Sequence, residues 1–266
     1  MSCNNCFEKG HYYKNCTKPL MSYGLCCYKN IDNEYFFLMV MRKNTYTYIE
    51  FIRGLYDILD YDYIKILFDK MTNEEKFKIK TENYKKLWND IWMITNNDEI
   101  KNKTEFYKGI IKFNILKNGF YHNNKKYILD SFIDNSNNNY DTPEWYFPKG
   151  KRNPNEDIIS TSLREFVEET NMIKDDIKIY KNYKFEEIHT SSNNKTYKTV
   201  FFLSEYYKNH DIIIENFNNK KNEFQLVEIG DIKWISLNNL NKYFRPYENS
   251  KKELIIQLKK HFESKK

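Results

Sequence analysis

One stretch constrains this chain more than any other: Trp145 to Met172, WYFPKGKRNPNEDIISTSLREFVEETNM. Its first part holds two prolines and a glycine and reads as a loop. From Glu156 onward it holds neither residue type, and the pattern predicts a helix over 156–170. At 3.6 residues per turn, Glu165, Glu168 and Glu169 fall within an arc of ~100°, opposite Ile159, Leu163, Phe166 and Val167. Three carboxylates on one face repel each other, which costs stability unless cations or basic side chains compensate. Such an oxygen cluster selects Mg²⁺ or Mn²⁺ and, beside bound phosphates, suits metal-assisted attack by water. The plainer reading of the same periodicity is a solvated acidic face.

The rest of the chain must supply a core for that helix. Its 266 residues are enough for one large domain or two small ones. With 40% hydrophobic and 17% aromatic residues, wholesale disorder is excluded. No apolar run approaches the roughly 20 residues that span a bilayer, and the start of the chain lacks an apolar signal segment, so a soluble intracellular protein is expected. The net charge of +6 is unevenly placed. Residues 1–30 carry +3, and residues 65–130 hold fourteen Lys against nine Asp and Glu. That leaves the remainder slightly acidic, a distribution suited to holding a polyanion in one part and cutting it in another. Solvated lysine-rich helix faces would look the same by charge alone.

Five cysteines in such a chain argue against a disulfide framework. Cys3, Cys6, His11 and Cys16 are spaced C-x2-C-x4-H-x4-C, with Gly10 before the histidine. Three thiolates and an imidazole complete a closed, structural zinc tetrahedron, and metal binding would supply the folding energy of so short a segment. The spacing resembles the zinc knuckle of RNA-binding proteins. That resemblance implies stacking of unpaired bases on Phe7, Tyr12 or Tyr13. Cys26 and Cys27 lie in an apolar run and read as buried strand residues.

Strands are expected at Tyr23–Tyr28 and Tyr35–Met41, about a polar turn at Asn30–Asn33. Three apolar stripes at helical spacing follow. The first runs over Ile58, Tyr61, Ile64, Leu67, Phe68 and Met71; the second over Tyr84, Leu87, Trp88, Ile91 and Trp92; the third over Phe106, Ile110, Phe113 and Leu116. They predict a small helical bundle, and Thr72 with Glu75 forms a capping-box pattern within it. After the polar connector Asn135–Asn139, strands are expected at Trp145–Phe147, Ile177–His189, Thr196–Tyr206 and Ile232–Ile235. A final helix is expected near Glu248–Glu263.

The pattern Gly-x5-Glu-x7-Arg-Glu-Phe-x-Glu-Glu-x-x-Met, from Gly150 to Met172, resembles the Nudix box of pyrophosphohydrolases. It departs once, with Asn171 where the family has glycine. Asn is the best substitute for Gly in a left-handed helix end, so little should change. The resemblance implies an α/β fold: a Nudix α/β/α sandwich with a mixed sheet, a helical insertion and the small zinc knuckle. It divides the chain into a knuckle (1–19), first strands (20–45), a helical RNA-binding insertion (46–120) and a catalytic core (121–266).

The same resemblance implies that Glu165, Glu168 and Glu169 bind Mg²⁺ or Mn²⁺, that the Gly150 carbonyl reaches a cation, and that Arg164 orients the carboxylates. Glu156 would be a salt-bridge partner. W-x-F-P-K-G-K at 145–151 is similar to mRNA-decapping enzymes and to diphosphoinositol-polyphosphate hydrolases, which implies that Lys149 and Lys151 meet the phosphate chain. In Asn222–Trp234, Glu228, or else Glu223, matches the decapping-enzyme glutamate that binds metal or acts as base; Glu165 is the other candidate base. His189 stands near a strand end and could approach the site.

The layout as a whole resembles the viral decapping Nudix proteins of large cytoplasmic DNA viruses, the asfarvirus and giant-virus type related to poxviral enzymes. It implies a cytoplasmic pyrophosphohydrolase acting on capped mRNA and releasing 7-methyl-GDP. The rival expectations are a diphosphoinositol- or dinucleoside-polyphosphate hydrolase and a non-catalytic RNA-binding protein.

Overall fold

The two apolar runs between Leu20 and Arg42, parted by a polar turn, build a long hairpin. Strand β1 (Leu20–Ile31) pairs antiparallel with β2 (Glu34–Arg42). The connection is tighter than the polar run suggests. Only Asp32 and Asn33 lie between the strands, both at positive φ (51° and 64°). A two-residue turn with both φ positive matches the strand twist, and Asp and Asn tolerate that backbone. In this computed structural model the described residues are 3–94, 100–190, 195–208, 217 and 221–264.

They fall into two compact units: Met1–Met41 with Glu144–Gln225 and Ile229–Lys266, and Arg42–Pro143 with Leu226–Glu228. The first is built on a mixed sheet of seven described strands. Its central path runs β5 (Trp145–Tyr146), β2, β1, β8 (Thr196–Tyr206), β7 (Ile177–Thr190). β6 (Lys149–Gly150) adds to β1, and β9 (Ile229–Ser236) adds to β2. β1 and β8 are parallel, from Leu20 opposite Tyr197 to Tyr28 opposite Glu205, and β7 returns antiparallel with a bulge between Tyr180 and Lys184.

Each face of this sheet carries a helix, because side chains alternate across a strand. Cys26, Tyr28, Phe37 and Met39 point to one side, with Leu254, Ile255, Leu258 and Phe262 of the last helix (Asn249–Glu263). Leu25, Cys27, Leu38 and Val40 point to the other, with Phe166 of helix Ile158–Thr170. Cys26 and Cys27 are both fully buried, on opposite faces. The result is the expected sandwich of helix, mixed sheet and helix.

The second unit is helical. Its elements are α1 (Tyr46–Ile52), α2 (Tyr61–Lys70), α3 (Asn73–Thr81), α4 (Tyr84–Trp92), α5 (Lys103–Asn118), a small hairpin of β3 (Phe120–His122) and β4 (Lys125–Tyr127), and α6 (Leu129–Asp134). In chain order the helices that follow are then α7 (Ile158–Thr170), α8 (Glu223–Glu228) and α9 (Asn249–Glu263). The three apolar stripes are its core: Ile64, Leu67, Phe68 and Met71 pack with Leu87, Trp88, Phe106, Phe113 and Leu116. The Thr72–Glu75 capping box forms, and Glu75 also accepts hydrogen bonds from the Thr45 amide (2.7 Å) and hydroxyl (2.7 Å). No helix among the described residues is long and apolar enough to cross a membrane.

Candidate active site and metal centres

Helix α7 is two residues shorter at its start than the periodicity predicts. Asp157 is the N-cap, its side chain accepting from the Ile159 and Ser160 amides, and Glu156 lies just outside. The helix ends at Asn171 in the left-handed conformation (φ 58°, ψ 23°), a helix end that glycine and asparagine adopt most readily. The orientation also differs from the simple apolar-versus-acidic division. The buried residues of α7 are Thr161, Ser162, Phe166, Glu169 and Thr170. Ser162, Phe166 and Glu169 stand at i, i+4 and i+7, on the face that Phe166 packs against the sheet, so Glu169 turns inward instead of to solvent.

Glu169 is 6% exposed. The Tyr146 hydroxyl donates to one carboxylate oxygen (3.0 Å) and the Lys149 amide to the other (3.1 Å). Burial, only partly offset by the nearby Lys149 charge and the Tyr146 bond, pushes its pKa up to about 8. A carboxyl so placed is ionised readily only when a cation sits against it.

Glu165 and Glu168 stay in the half-buried margin and are organised by Arg164. Its Nη1 donates to Glu165 (2.8 Å) and Glu168 (3.0 Å), while Nε and Nη2 grip Glu156 at 2.9 and 3.0 Å. Nη2 also donates to the Lys151 carbonyl (2.9 Å), tying the loop to the helix. The paired guanidinium lowers the pKa of Glu156.

The loop comes this close because of two glycines. A Cβ on Gly24 of β1 would stand 2.2 Å from the Pro148 carbonyl oxygen, and one on Gly150 would stand 2.0 Å from the Glu165 carboxylate. β6 therefore pairs with β1, Tyr23 opposite Gly150 and Gly24 opposite Lys149, with the carboxylates directly above. Backbone carbonyl, two arginine-held carboxylates and one buried carboxylate are hard-oxygen donors of the kind Mg²⁺ or Mn²⁺ takes, although the three carboxylates do not all come within 4.8 Å of one another.

Lys149 is half-buried, with its ammonium 5.5 Å from the Tyr146 ring centroid, and Lys151 is exposed. Glu228 and Glu223 are both exposed on α8. Glu228 ends that helix within the helical unit, where its carbonyl accepts from the Lys43 amide (2.8 Å). His189 is exposed and stacked on Tyr197 (5.1 Å, 5°). Sequence reasoning missed three supports of the carboxylates. Tyr146 occupies an unspecified place in the loop pattern. Asn222 and Gln225, a capping box of their own, donate to the Glu168 and Glu169 carbonyls at 3.0 and 3.1 Å. The Asn-x-x-Gln spacing was the available signal for that pair.

The second centre lies at the N-terminal end. Among the described residues, Cys3, Cys6, His11 and Cys16 are the one group of three or more candidate ligands whose atoms all lie within 4.8 Å of one another. That spacing accommodates a zinc tetrahedron, in which sulfurs 2.3 Å from the metal stand about 3.8 Å apart. Cys6 Sγ is 3.3 Å from His11 Nε2. The Asn5 amide donates to Cys16 Sγ (3.2 Å) and pulls that thiol down to about pKa 6, while desolvation and the neighbouring thiols push Cys6 up to about 11. Gly10 takes the positive φ (100°) that the return of the loop requires. The donor set fits Zn²⁺. The module is fastened to the first strand through buried Asn5, which donates to the Pro19 carbonyl (2.8 Å) and accepts from the Met21 amide (2.8 Å).

Residues 132–258 match the NUDIX domain family, a span that contains the whole loop-helix pattern. A protein of Acanthamoeba polyphaga mimivirus, provisionally named an mRNA-decapping protein, is 27% identical, covering 96% of this chain and 92% of its own. The mRNA-decapping protein g5R of African swine fever virus, Kenyan pig isolate, is also 27% identical, covering 79% of this chain and 81% of its own. Among solved structures, an Ap4A hydrolase of C. elegans aligns over 92% of this chain and 98% of its own, at 12% identity and a TM-score of 0.45, too distant to carry weight.

Proposed function

We propose that this NUDIX-domain chain is an mRNA-decapping pyrophosphohydrolase, cleaving the 5′ cap to release 7-methyl-GDP and leave a 5′-monophosphate RNA. The carboxylate site on α7, placed in a chain whose full-length viral relatives bear decapping names, carries the reading. Bound Mg²⁺ or Mn²⁺ would polarise the bridging phosphates and favour attack by water. Glu165, Glu168, Glu169 and the Gly150 carbonyl are its proposed ligands. Arg164 holds Glu165 and Glu168 in place through its Nη1. Lys149 is proposed to offset charge on the departing diphosphate. Glu165 takes the proton of the attacking water, and Glu165→Gln tests that role.

Zn²⁺ in the knuckle is proposed as structural. The RNA body would be held by the lysine excess of residues 65–130 and by the exposed rings of Phe7, Tyr12 and Tyr13. A cavity of about 560 Å³ beside the knuckle, lined in part by Lys14, Lys18 and Lys195, suits phosphate contacts. Activity on long capped RNA is therefore expected to fall steeply with salt. A cytoplasmic location goes with this substrate.

The test incubates the protein and Glu169→Gln with cap-labelled RNA, free cap dinucleotide and a diphosphoinositol phosphate. Release of 7-methyl-GDP from capped RNA, abolished in the variant, supports the reading. Turnover of the diphosphoinositol phosphate alone would replace it with a small-molecule phosphohydrolase.

A further inference from the structure

The knuckle does more in this structure than stand at the start of the chain. Asn4, in the turn between Cys3 and Cys6, faces the loop that follows Gly150. Its side-chain amide donates to the Arg152 carbonyl (3.1 Å), and its own carbonyl accepts from Arg152 Nε (3.3 Å) and Nη2 (3.1 Å). The Arg152 guanidinium carbon lies 3.7 Å from the centroid of the Phe7 ring, directly after the second cysteine. Phe7 is held there by a left-handed backbone (φ 68°) and by its amide, which donates to the Cys3 carbonyl (2.9 Å). Lys151 is 6.0 Å from the Tyr13 ring on the same side.

The remaining arm of Arg152, Nη1, donates to the Glu156 carbonyl (3.0 Å). Glu156 is the residue whose carboxylate Arg164 grips from both Nε and Nη2, and Arg164 in turn holds Glu165 and Glu168. An unbroken path of hydrogen bonds therefore runs from the Cys3–Cys6 turn, through Arg152, to the carboxylates of the catalytic helix. Every residue on it belongs to one compact unit.

We propose that Arg152 is a positioning residue through which zinc occupancy of the knuckle sets the geometry of the catalytic loop, residues 151–157. This deepens the decapping reading and rests on it for the identity of the substrate. The physical reason is the small size of the knuckle. A segment this short buries no core of its own, so the turn that presents the Asn4 carbonyl and the Phe7 ring keeps its shape only while its ligands are tied together. When they are released, Arg152 loses two acceptor contacts and its aromatic platform, and the loop loses one of the two arginines that hold it. The knuckle is then part of the catalytic apparatus, whatever RNA it also touches.

A tether and a buttress make opposite demands on a substrate with no RNA body. The test measures free cap dinucleotide turnover, in excess Mg²⁺, for the zinc-loaded chain, Cys6→Ser, Arg152→Ala, Arg152→Lys and the Cys6→Ser/Arg152→Ala double variant. Hydrogen exchange of residues 151–157 is followed in parallel, and zinc content is measured for each. Cys6→Ser and Arg152→Ala should each lower kcat by roughly tenfold, the scale of losing an outer support of metal ligands, with KM little changed. The double variant should fall no further than either single one, and Arg152→Lys, keeping one donor, should fall between. Amide exchange in 151–157 should rise in all of them, while Arg152→Ala keeps its zinc. Cap dinucleotide turnover and loop exchange unchanged in Cys6→Ser, with only long-RNA affinity lost, would overturn the proposal, as would simple additivity in the double variant. If cap dinucleotide is not a substrate at all, the exchange measurement still decides the coupling, and it is the decapping reading that fails.

Discussion

Replacing Glu169 by Gln is expected to stabilise the metal-free protein while abolishing its response to divalent cations. Glu169 is raised from 4.5 to about 8 by burial, so the folded chain binds more protons than the unfolded one between those values. Metal-free stability must therefore fall as pH rises through that window and level off above it. At 1.36 kcal/mol per unit, keeping this group protonated while the unfolded chain ionises it costs the folded state roughly 4 kcal/mol near pH 7.5. Gln removes that cost but forfeits one acceptor: its NH₂ would meet either the Tyr146 hydroxyl or the Lys149 amide, both of which now donate to the carboxylate. Losing that bond takes back about 1–3 kcal/mol. The net gain is about 1–3 kcal/mol, a rise in Tm of roughly 2–10 °C for a unit of this size. The assay is thermal unfolding of both proteins at pH 6 and pH 8, with and without Mg²⁺ or Mn²⁺. The native chain should be stabilised by metal far more at pH 8 than at pH 6, and the variant by neither. A variant less stable than the native chain in metal-free buffer at pH 8, or equally stabilised by metal, would show that burial does not control this carboxyl.

Three further outcomes follow from the same geometry. Gly150→Ala puts a Cβ 2.0 Å from the Glu165 carboxylate, so Glu165 must swing away; hydrolysis should drop at least 10–100-fold with the fold retained by circular dichroism. Arg164→Lys loses the fork that joins Glu156, Glu165, Glu168 and the Lys151 carbonyl, and steady-state kinetics should show a fall in kcat of roughly 10–100-fold despite the conserved charge. In the helical unit, Glu75→Ala strands the Thr45 amide, the Thr45 hydroxyl and the Thr72 amide; urea unfolding should report a loss of roughly 3 kcal/mol or more, each donor left dry costing about 1–3.

Much of this protein was legible from local pattern. Apolar and aromatic runs bounded by polar turns placed β1, β2, β7 and β8, and helical stripes placed the core of α2, α4 and α5. Four ligands within sixteen residues are forced together by chain length, so the knuckle needed no fold to announce it. The order of Gly150, Glu156, Arg164 and the three glutamates marked the site, since one helix carries most of it. Element ends were less legible: Asp157 takes the cap and leaves Glu156 outside, a competition between neighbouring side chains for the same amides.

What only the tertiary structure decided is environment. By helical angle alone Glu169 shares a face with Glu165 and Glu168, yet it is buried and they are half-exposed, because it lies at the edge of the arc next to Phe166, which packs on the sheet. Tyr146 and Lys149 come to Glu169 from another strand and loop, Asn222 and Gln225 come to the end of α7 from far along the chain, and Asn4 meets Arg152 across 148 residues. Residue types and spacings fix which groups stand on one element. Which of them lose water, and which distant donors they meet, depends on how the elements pack, and a pKa or an arginine's orientation is set by that packing.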